Sequence, residues 1–310
     1  MSQVDRLEAV EPDVEPPLPR PLRAIAVLPA AATLGNLLCG VLAIFACLLE
    51  LRGVYFDIPR KITNPVLAEL FPTHITSGVY LILLAMIFDA LDGRLARLAR
   101  RTSEFGAQLD SLADTVSFGV APAMLYLTVL LGLAVPPGGG DPSVGKLEWR
   151  LGLFCALFFI SCAAIRLARY NAENTASESA QKKFTGMPTP GAAAGFCGAL
   201  LLYEEFLRLD VTLGGFAVAT AARWLLAPVA LGLGLFMVSR LEHIHVFNVL
   251  VRREQPLPRL LWVVAAIGFA IYWFQALLIV LAAAYVLSGV AMNAHKRIWP
   301  TPRGDGFHPN

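Results

Sequence analysis

The chain has 310 residues, of which 56% are hydrophobic and only 15% are charged. Its mean hydropathy of +0.62 is too high for one water-soluble core, since soluble domains are about one quarter charged. The net charge of +2 is small and the basic residues are dispersed, which argues against a nucleic-acid-binding protein. The composition therefore predicts an integral membrane protein.

The first 23 residues are polar and rich in proline, which predicts a disordered cytoplasmic tail that ends at the membrane surface. We do not expect a cleaved signal peptide, because prolines and acidic residues stand where a basic start and a short apolar core are needed. A single transmembrane domain is predicted for residues 24–293. Residues 294–310 should form a cytoplasmic C-terminal tail.

Long uncharged runs follow the first tail, and the run Ile25–Leu49 is the first of them. At about 1.5 Å rise per residue, a helix of this length exceeds the hydrocarbon thickness of about 30 Å. The runs lack the alternating pattern of β-barrel strands. We therefore predict an all-α, polytopic membrane helix bundle of about eight spans: Ile25–Leu49, Ser77–Ala96, Gly106–Val135, Trp149–Ala168, Thr189–Leu207, Trp224–Val238, Leu260–Trp273 and Gln275–Met292.

The orientation of this bundle follows from its lysines and arginines. With a cytoplasmic N-terminus, 18 of the 25 lysines and arginines fall on the cytoplasmic side. Cytoplasmic loops carry the excess of positive charge. Both termini are therefore predicted to be cytoplasmic.

One stretch of the apolar chain is out of character because it holds four aspartates. Asp89 and Asp92 are three residues apart, and Asp110 and Asp114 are four residues apart. At about 100° per residue, each spacing places two carboxylates on one helix face. The short basic connection Arg97–Phe105 lets the two helices pack antiparallel, so we expect the two pairs to meet.

Four carboxylates in a poorly hydrated cleft repel one another unless cations compensate their charge. One or two divalent metal ions would do so, and all-oxygen ligands suit Mg²⁺, Mn²⁺ or Ca²⁺ better than zinc. The alternative is that the aspartates cap helix ends or pair with the nearby arginines, but the spacing of all four favours a metal site. Gly93, Ala96 and Gly106 leave the helix surface open, so that a base or a diphosphate can approach the backbone.

Residues 89–114 read D-x-x-D-G-x-x-A-R, then eight residues, then G-x-x-x-D-x-x-x-D. This pattern resembles the complete signature of the CDP-alcohol phosphotransferases. The resemblance implies transfer of a phosphoryl-linked group from a CDP-activated donor to an alcohol, with CMP leaving, and it implies a homodimer. It also implies metal ligation by Asp89, Asp92 and Asp110, with Asp114 as a ligand or as the general base.

The flanking segments resemble one branch of that family, the CDP-diacylglycerol–serine O-phosphatidyltransferases, or phosphatidylserine synthases. They are the run from Thr33 (TLGNLLCG), the run from Asp110 (DSLADTVSFGVAPA), the segments RLARYN and FTGMPTPGAAA, and MVSR. The branch implies CDP-diacylglycerol and L-serine as substrates, two Mg²⁺ or Mn²⁺ ions, and a site that faces the cytoplasm from the cell membrane. The residues expected to contact the CDP group are Asn36, Gly40, Asp89, Gly93, Ala96, Arg97 and Gly106.

A serine acceptor carries a carboxylate, which calls for a fixed cation. Arg166 and Arg169 lie three residues apart on one predicted helix face, followed by Asn171 and Lys183. Ordinary anchoring of a helix end at the cytoplasmic surface explains these basic residues equally well. Ser117, on nearly the same face as the last aspartate, is a further candidate for contact with the acceptor.

Two other functions remain open on the sequence. A sister enzyme of the family would use glycerol 3-phosphate, an inositol phosphate or choline as the acceptor. A cation-coupled transporter would also place acids in the membrane, but it predicts acids near the midplane and two related halves. Here the aspartates flank a cytoplasmic connection and no repeat is evident, which favours the enzyme.

Overall fold

The computed structural model of this protein describes residues 20–55, 71–98, 104–134, 145–175, 186–213, 216–239, 280 and 283–287. Nearly all of these residues are helical. Long runs of leucine, alanine and valine without charge favour helix in an apolar environment, where every backbone polar group needs an internal partner. In chain order the elements are α1 (Arg20–Tyr55), α2 (His74–Leu98), α3 (Glu104–Asp114), a π-helix (Thr115–Val120), α4 (Ala121–Ala134), α5 (Lys146–Thr175), α6 (Thr189–Leu209) and α7 (Val218–Val238).

A small β-hairpin between α6 and α7 departs from the all-α prediction. Strand β1 (Thr212–Leu213) pairs antiparallel with β2 (Phe216–Ala217). Before β1, α6 ends at Leu209, and the next residue, Asp210, has a φ of 48° in the left-handed region that aspartate tolerates. Sequence reasoning missed the hairpin because two-residue strands leave no readable alternation.

Five helical segments in the described part of the chain are long and apolar enough to cross a membrane: Ala30–Arg52, His74–Gly93, Phe105–Gly132, Lys146–Ala172 and Val218–Val238. The predicted span Thr189–Leu207 is helical, but it is not among these five, and its second half carries two glutamates. The predicted spans at 260–273 and 275–292 lie almost wholly outside the described residues. The membrane character of the protein is supported, whereas the number of eight spans stays a prediction.

The core of the bundle is built around aromatic side chains from α4, α5 and α6. The ring of Phe196 lies 5.7 Å from that of Tyr126 and 5.1 Å from that of Phe159, and all three side chains are almost fully buried. Helix α1 packs along α2 and against α4, while α7 packs on α5 and α6. Helix α1 also packs against α3, so it contacts both helices that carry the aspartates.

A buried ion pair joins α5 and α7 near their first turns. Arg223 Nε lies 2.8 Å from Glu148 Oε1, and both side chains are almost fully enclosed. Arg166 follows Glu148 by 18 residues on α5, a distance of about 27 Å along the helix at its usual rise. The ion pair thus lies far from the aspartates described below.

Candidate active site

Three of the four predicted aspartates converge. Asp89 comes from α2, and Asp110 and Asp114 come from α3. One carboxylate oxygen from each lies within 4.8 Å of the other two. Asp114 is buried and the other two are half-buried. The sequence predicted that the two pairs of aspartates meet, and three of these four carboxylates do.

Asp92 is also buried, but it is held differently from the other three. Its Oδ2 accepts a hydrogen bond from the Thr33 hydroxyl of α1, and it is not part of the cluster of three carboxylates. The sequence placed Asp92 on the face of Asp89, but it did not show that α1 binds one of its oxygens. Its role as a metal ligand stays a prediction.

Asn36 directly contacts one member of the cluster of three carboxylates. Its side chain is fully buried, and its Nδ2 donates a hydrogen bond of 3.0 Å to Asp114 Oδ1. The sequence predicted that Asn36 contacts the CDP group. The structure adds a direct contact with the aspartate expected to act as the base.

Gly40 and Ser117 bring α1 against the π-helix. A Cβ atom on Gly40 would lie 2.3 Å from Ser117 Oγ and 2.8 Å from Ser117 Cα, so only glycine fits this contact. Ser117 is fully buried, and its hydroxyl donates a 2.9 Å hydrogen bond to the Asn36 carbonyl oxygen. Both residues therefore have packing partners here, and their predicted contacts with CDP and with the acceptor stay predictions.

The small residues of the signature differ in what surrounds them. A Cβ on Gly93 would meet no atom of the described residues within 4 Å, so the surface next to Asp92 is open in that part of the chain. Gly106 is half-buried near the start of α3. Ala96 and Arg97 belong to the last turns of α2, but their side chains lie outside the described residues.

The three candidate acceptor residues of α5 have separate partners. Arg166 Nη1 donates a 2.5 Å hydrogen bond to Thr189 Oγ1 of α6, and its charge interacts with Asp114. Arg169 instead donates a 3.0 Å hydrogen bond to the Val238 carbonyl at the end of α7.

Asn171 donates a 2.8 Å hydrogen bond to Ser111 Oγ, next to Asp110 in the chain, and so ties α5 to α3. Lys183 lies outside the described residues. Among the predicted acceptor residues that the structure describes, Arg166 is therefore the one whose charge interacts with the cluster of three carboxylates.

Sequence reasoning missed Thr33 and Thr189 as site residues. Thr33 and Asn36 stand three residues apart in the apolar helix α1, so they share a face. Polar residues at helical spacing in a membrane span are unusual enough to mark a site, and this signal was available. Thr189 gave no comparable signal, because its partner Arg166 comes from another helix.

The donor set of the cluster of three carboxylates fits a divalent cation. Three carboxylates at this separation repel one another, and hard cations such as Mg²⁺ and Mn²⁺ prefer such oxygen ligands. Zinc sites in proteins generally use nitrogen and sulfur ligands, and no histidine or cysteine of the described residues belongs to the cluster. The arrangement is thus suited to binding a polyanionic substrate through metal ions.

A family model described as CDP-alcohol phosphatidyltransferase matches residues 26–236. This chain belongs to that family. The match includes α1 with Thr33 and Asn36, the signature at 89–114, and α5 with Arg166. The predicted family resemblance is confirmed.

Several relatives are named CDP-diacylglycerol–serine O-phosphatidyltransferase. The relative from Mycobacterium tuberculosis is 37% identical over 133 residues, which cover 42% of this chain and 41% of that protein. The Methanocaldococcus jannaschii relative is 40% identical over 137 residues, 43% of this chain and 57% of that protein. These matches span about half the length of the relatives. The Bacillus subtilis relative is 31% identical over 218 residues, 70% of this chain and 90% of that protein.

Proposed function

We propose that this protein transfers the phosphatidyl group of CDP-diacylglycerol to the hydroxyl of L-serine, giving phosphatidylserine and CMP. The observation that carries the proposal is the convergence of Asp89, Asp110 and Asp114 in a chain of this family. The choice of serine draws on the names of the relatives, above all the Bacillus subtilis protein, whose length is largely covered.

Asp89, Asp110 and Asp114 would hold the divalent ions, with Asp92 as a further ligand through the oxygen that Thr33 does not bind. We propose two ions, Mg²⁺ or Mn²⁺, with Ca²⁺ as the less usual occupant. When bound, they would neutralise the diphosphate and stabilise the phosphate of the leaving CMP. The side chains themselves have the task of fixing the ligand oxygens on two helices.

Asp114 is the proposed general base. The serine hydroxyl gives its proton to the Asp114 carboxylate while its oxygen forms a bond to the β-phosphorus, and the bond from that phosphorus to the CMP oxygen breaks. A base positioned for such a transfer contributes about 10²–10⁴-fold to the rate. Asp114 suits the role because it is buried, and because Asn36 fixes its orientation.

Arg166 is the proposed partner of the serine carboxylate. It lies on α5 within the electrostatic reach of Asp89 and Asp114. A guanidinium can bind a carboxylate through two parallel hydrogen bonds. Arg169, by contrast, is engaged at the end of α7, so we assign it a structural role. Asn171 would keep α5 in place against α3.

The CDP group would approach along the open surface at Gly93, with Ala96, Arg97 and Gly106 on the same part of the signature. The connection between α2 and α3 belongs to the side that holds 18 of the 25 lysines and arginines, so we propose that the site faces the cytoplasm. We further propose that the protein acts in the cell membrane as a homodimer, which follows from the family resemblance.

An acceptor screen tests the proposal. The purified protein in detergent is incubated with CDP-diacylglycerol, Mn²⁺ or Mg²⁺, and one acceptor at a time: L-serine, glycerol 3-phosphate, an inositol phosphate or choline. We expect CMP release with L-serine only, and we expect EDTA to abolish it. Release with another acceptor but not with serine would replace serine as the substrate and keep the reaction class.

A further inference from the structure

Two polar side chains on one face of α1 reach the aspartates of two other helices. Thr33 donates its hydroxyl to Asp92 Oδ2 of α2, and Asn36 donates Nδ2 to Asp114 Oδ1 of α3. Because Thr33 and Asn36 are three residues apart, they lie on the same face of the helix. Helix α1 therefore binds one carboxylate oxygen on α2 and one on α3.

Each of these hydrogen bonds binds one oxygen of a carboxylate and leaves the other for a ligand. A carboxylate has two oxygens and several lone pairs, so a donor at one oxygen restricts the rotation of the group without blocking the second. The Asn36 amide must present its nitrogen to Asp114, since its oxygen would repel the carboxylate. The orientation of Asn36 thus follows from its partner.

The burial of Asn36 also indicates a role beyond stability. Its Oδ1 is buried and has no hydrogen-bond partner among the residues that the structure describes. An unsatisfied buried acceptor costs about 1–3 kcal/mol, so an asparagine here is a poor choice for stability alone. A catalytic role is one of the explanations for such a group in a native protein, and here the group lies on a residue that binds Asp114.

Helix α1 is itself fixed against the element that follows Asp114. Gly40, on the same stripe as Asn36 and one turn further along, lets the π-helix approach, and Ser117 donates to the Asn36 carbonyl. The backbone of Asn36 and its side chain therefore bind the π-helix and Asp114 at once. A displacement of α1 would be transmitted directly to the carboxylate.

We propose that Thr33 and Asn36 are positioning residues, which set the orientation of Asp92 and Asp114 for metal binding and for proton transfer. The inference rests on the proposed function for the roles of the two aspartates. It differs from the expectation that Asn36 contacts the CDP group, because a positioning residue acts through Asp114. Residues that orient metal-binding side chains typically change metal affinity or activity by about 10–100-fold when they are replaced.

Four variants of the full-length protein test the proposal. Thr33→Val keeps the shape of the side chain and removes the hydroxyl, whereas Thr33→Ser keeps the hydroxyl. Asn36→Ala removes the amide. Thr128→Val is the matched control, because Thr128 is a buried threonine of α4 that follows Asp114 by 14 residues; its hydroxyl donates to the Met124 carbonyl, and its side chain meets Cys47 of α1 rather than an aspartate.

The readouts are Mn²⁺ affinity without substrate, measured by electron paramagnetic resonance, then kcat and KM for CDP-diacylglycerol, and thermal unfolding. We expect Thr33→Val and Asn36→Ala to weaken Mn²⁺ binding and lower kcat by about 10–100-fold, with little change in KM. Thr33→Ser, which keeps the hydroxyl, should have near wild-type Mn²⁺ affinity and kcat. Thr128→Val should match the wild type in both.

Three results would overturn the inference. In the first, Thr33→Val and Asn36→Ala match Thr128→Val in Mn²⁺ affinity and kcat. In the second, Thr33→Val and Asn36→Ala lose Mn²⁺ affinity and kcat together with a lower unfolding temperature, and Thr33→Ser shows the same losses; this result would indicate a purely structural role. In the third, Asn36→Ala raises KM alone, as a CDP contact would.

The proposed function fails separately, because the wild-type acceptor screen tests it. If the screen identifies another alcohol as the acceptor, kcat and KM of each variant are compared with those of the wild type with that alcohol. If wild-type turnover is absent, the Mn²⁺ affinities of the variants still decide the positioning role.

Discussion

The close contact between Gly40 and Ser117 makes a quantitative prediction for Gly40→Ala. The added Cβ would lie 2.3 Å from Ser117 Oγ and 2.8 Å from Ser117 Cα, where 3.4 Å is the start of ordinary contact. Rotation of the serine side chain can move Oγ, at the expense of its bond to the Asn36 carbonyl. The Cα atom is backbone, so α1 and the π-helix must separate by about 0.6 Å, from 2.8 to 3.4 Å.

This separation has a cost in stability and a cost in activity. Overpacking of this kind destabilises by about 1–3 kcal/mol, while the exchange of glycine for alanine within a helix gains about 1 kcal/mol. The Asn36–Asp114 hydrogen bond is 3.0 Å long, and a shift of about 0.6 Å along it would lengthen it beyond the range of a hydrogen bond. We therefore expect lower kcat together with lower stability.

Gly232→Ala is the control, because Gly232 lies in α7 and a Cβ there meets no atom within 4 Å. It should gain the helical preference of alanine without overpacking. Thermal unfolding in detergent and CMP release are measured for both variants. We expect Gly40→Ala to unfold at a lower temperature than Gly232→Ala, by roughly 2–4 °C for each kcal/mol. Equal unfolding temperatures and equal turnover would refute the close approach of α1 to the π-helix.

Four further substitutions test the roles described above. Asp114→Asn should reduce CMP release by about 10²–10⁴-fold with an unchanged elution profile in size-exclusion chromatography, and retained turnover would remove Asp114 as the base. Arg166→Ala should raise KM for L-serine, whereas Arg169→Ala should chiefly lower the unfolding temperature; the opposite pattern in serine kinetics and thermal unfolding would reverse the two assignments. Glu148→Gln removes the charge facing Arg223 and should lower the free energy of unfolding by about 2 kcal/mol. It should leave KM for both substrates unchanged, and a changed KM would contradict our conclusion that this ion pair lies far from the site.

Much of the site could be predicted from the sequence because helical spacing is a local property. The spacing of Asp110 and Asp114 places them on one face of α3 in any helix, and the short connection limits how far Asp89 can be from them. The convergence of these three carboxylates was therefore predictable. The hydrogen bond from Thr33 to Asp92 was not, because it depends on how α1 is rotated about its own axis relative to α2.

The two arginines of α5 show the same limit. Arg166 and Arg169 share a helix face by spacing, and the sequence offered substrate binding and membrane anchoring for both. Their partners, Thr189 for one and the Val238 carbonyl for the other, belong to α6 and α7. Only the packing of three helices distinguishes the two residues. Tertiary contacts of this kind have no signature in residue spacing.

The π-helix after Asp114 gives a physical reason for the position of the candidate base. At its end the Ala121 N–H bonds to the Val116 carbonyl, five residues back, and three consecutive residues, Ser117, Phe118 and Gly119, are buried. The wider turn changes the phase of the helix, so that α3 can direct Asp110 and Asp114 to the site while α4 directs Tyr126 to the core. Wide turns of this type occur frequently at functional sites, and here the turn begins at the residue directly after Asp114.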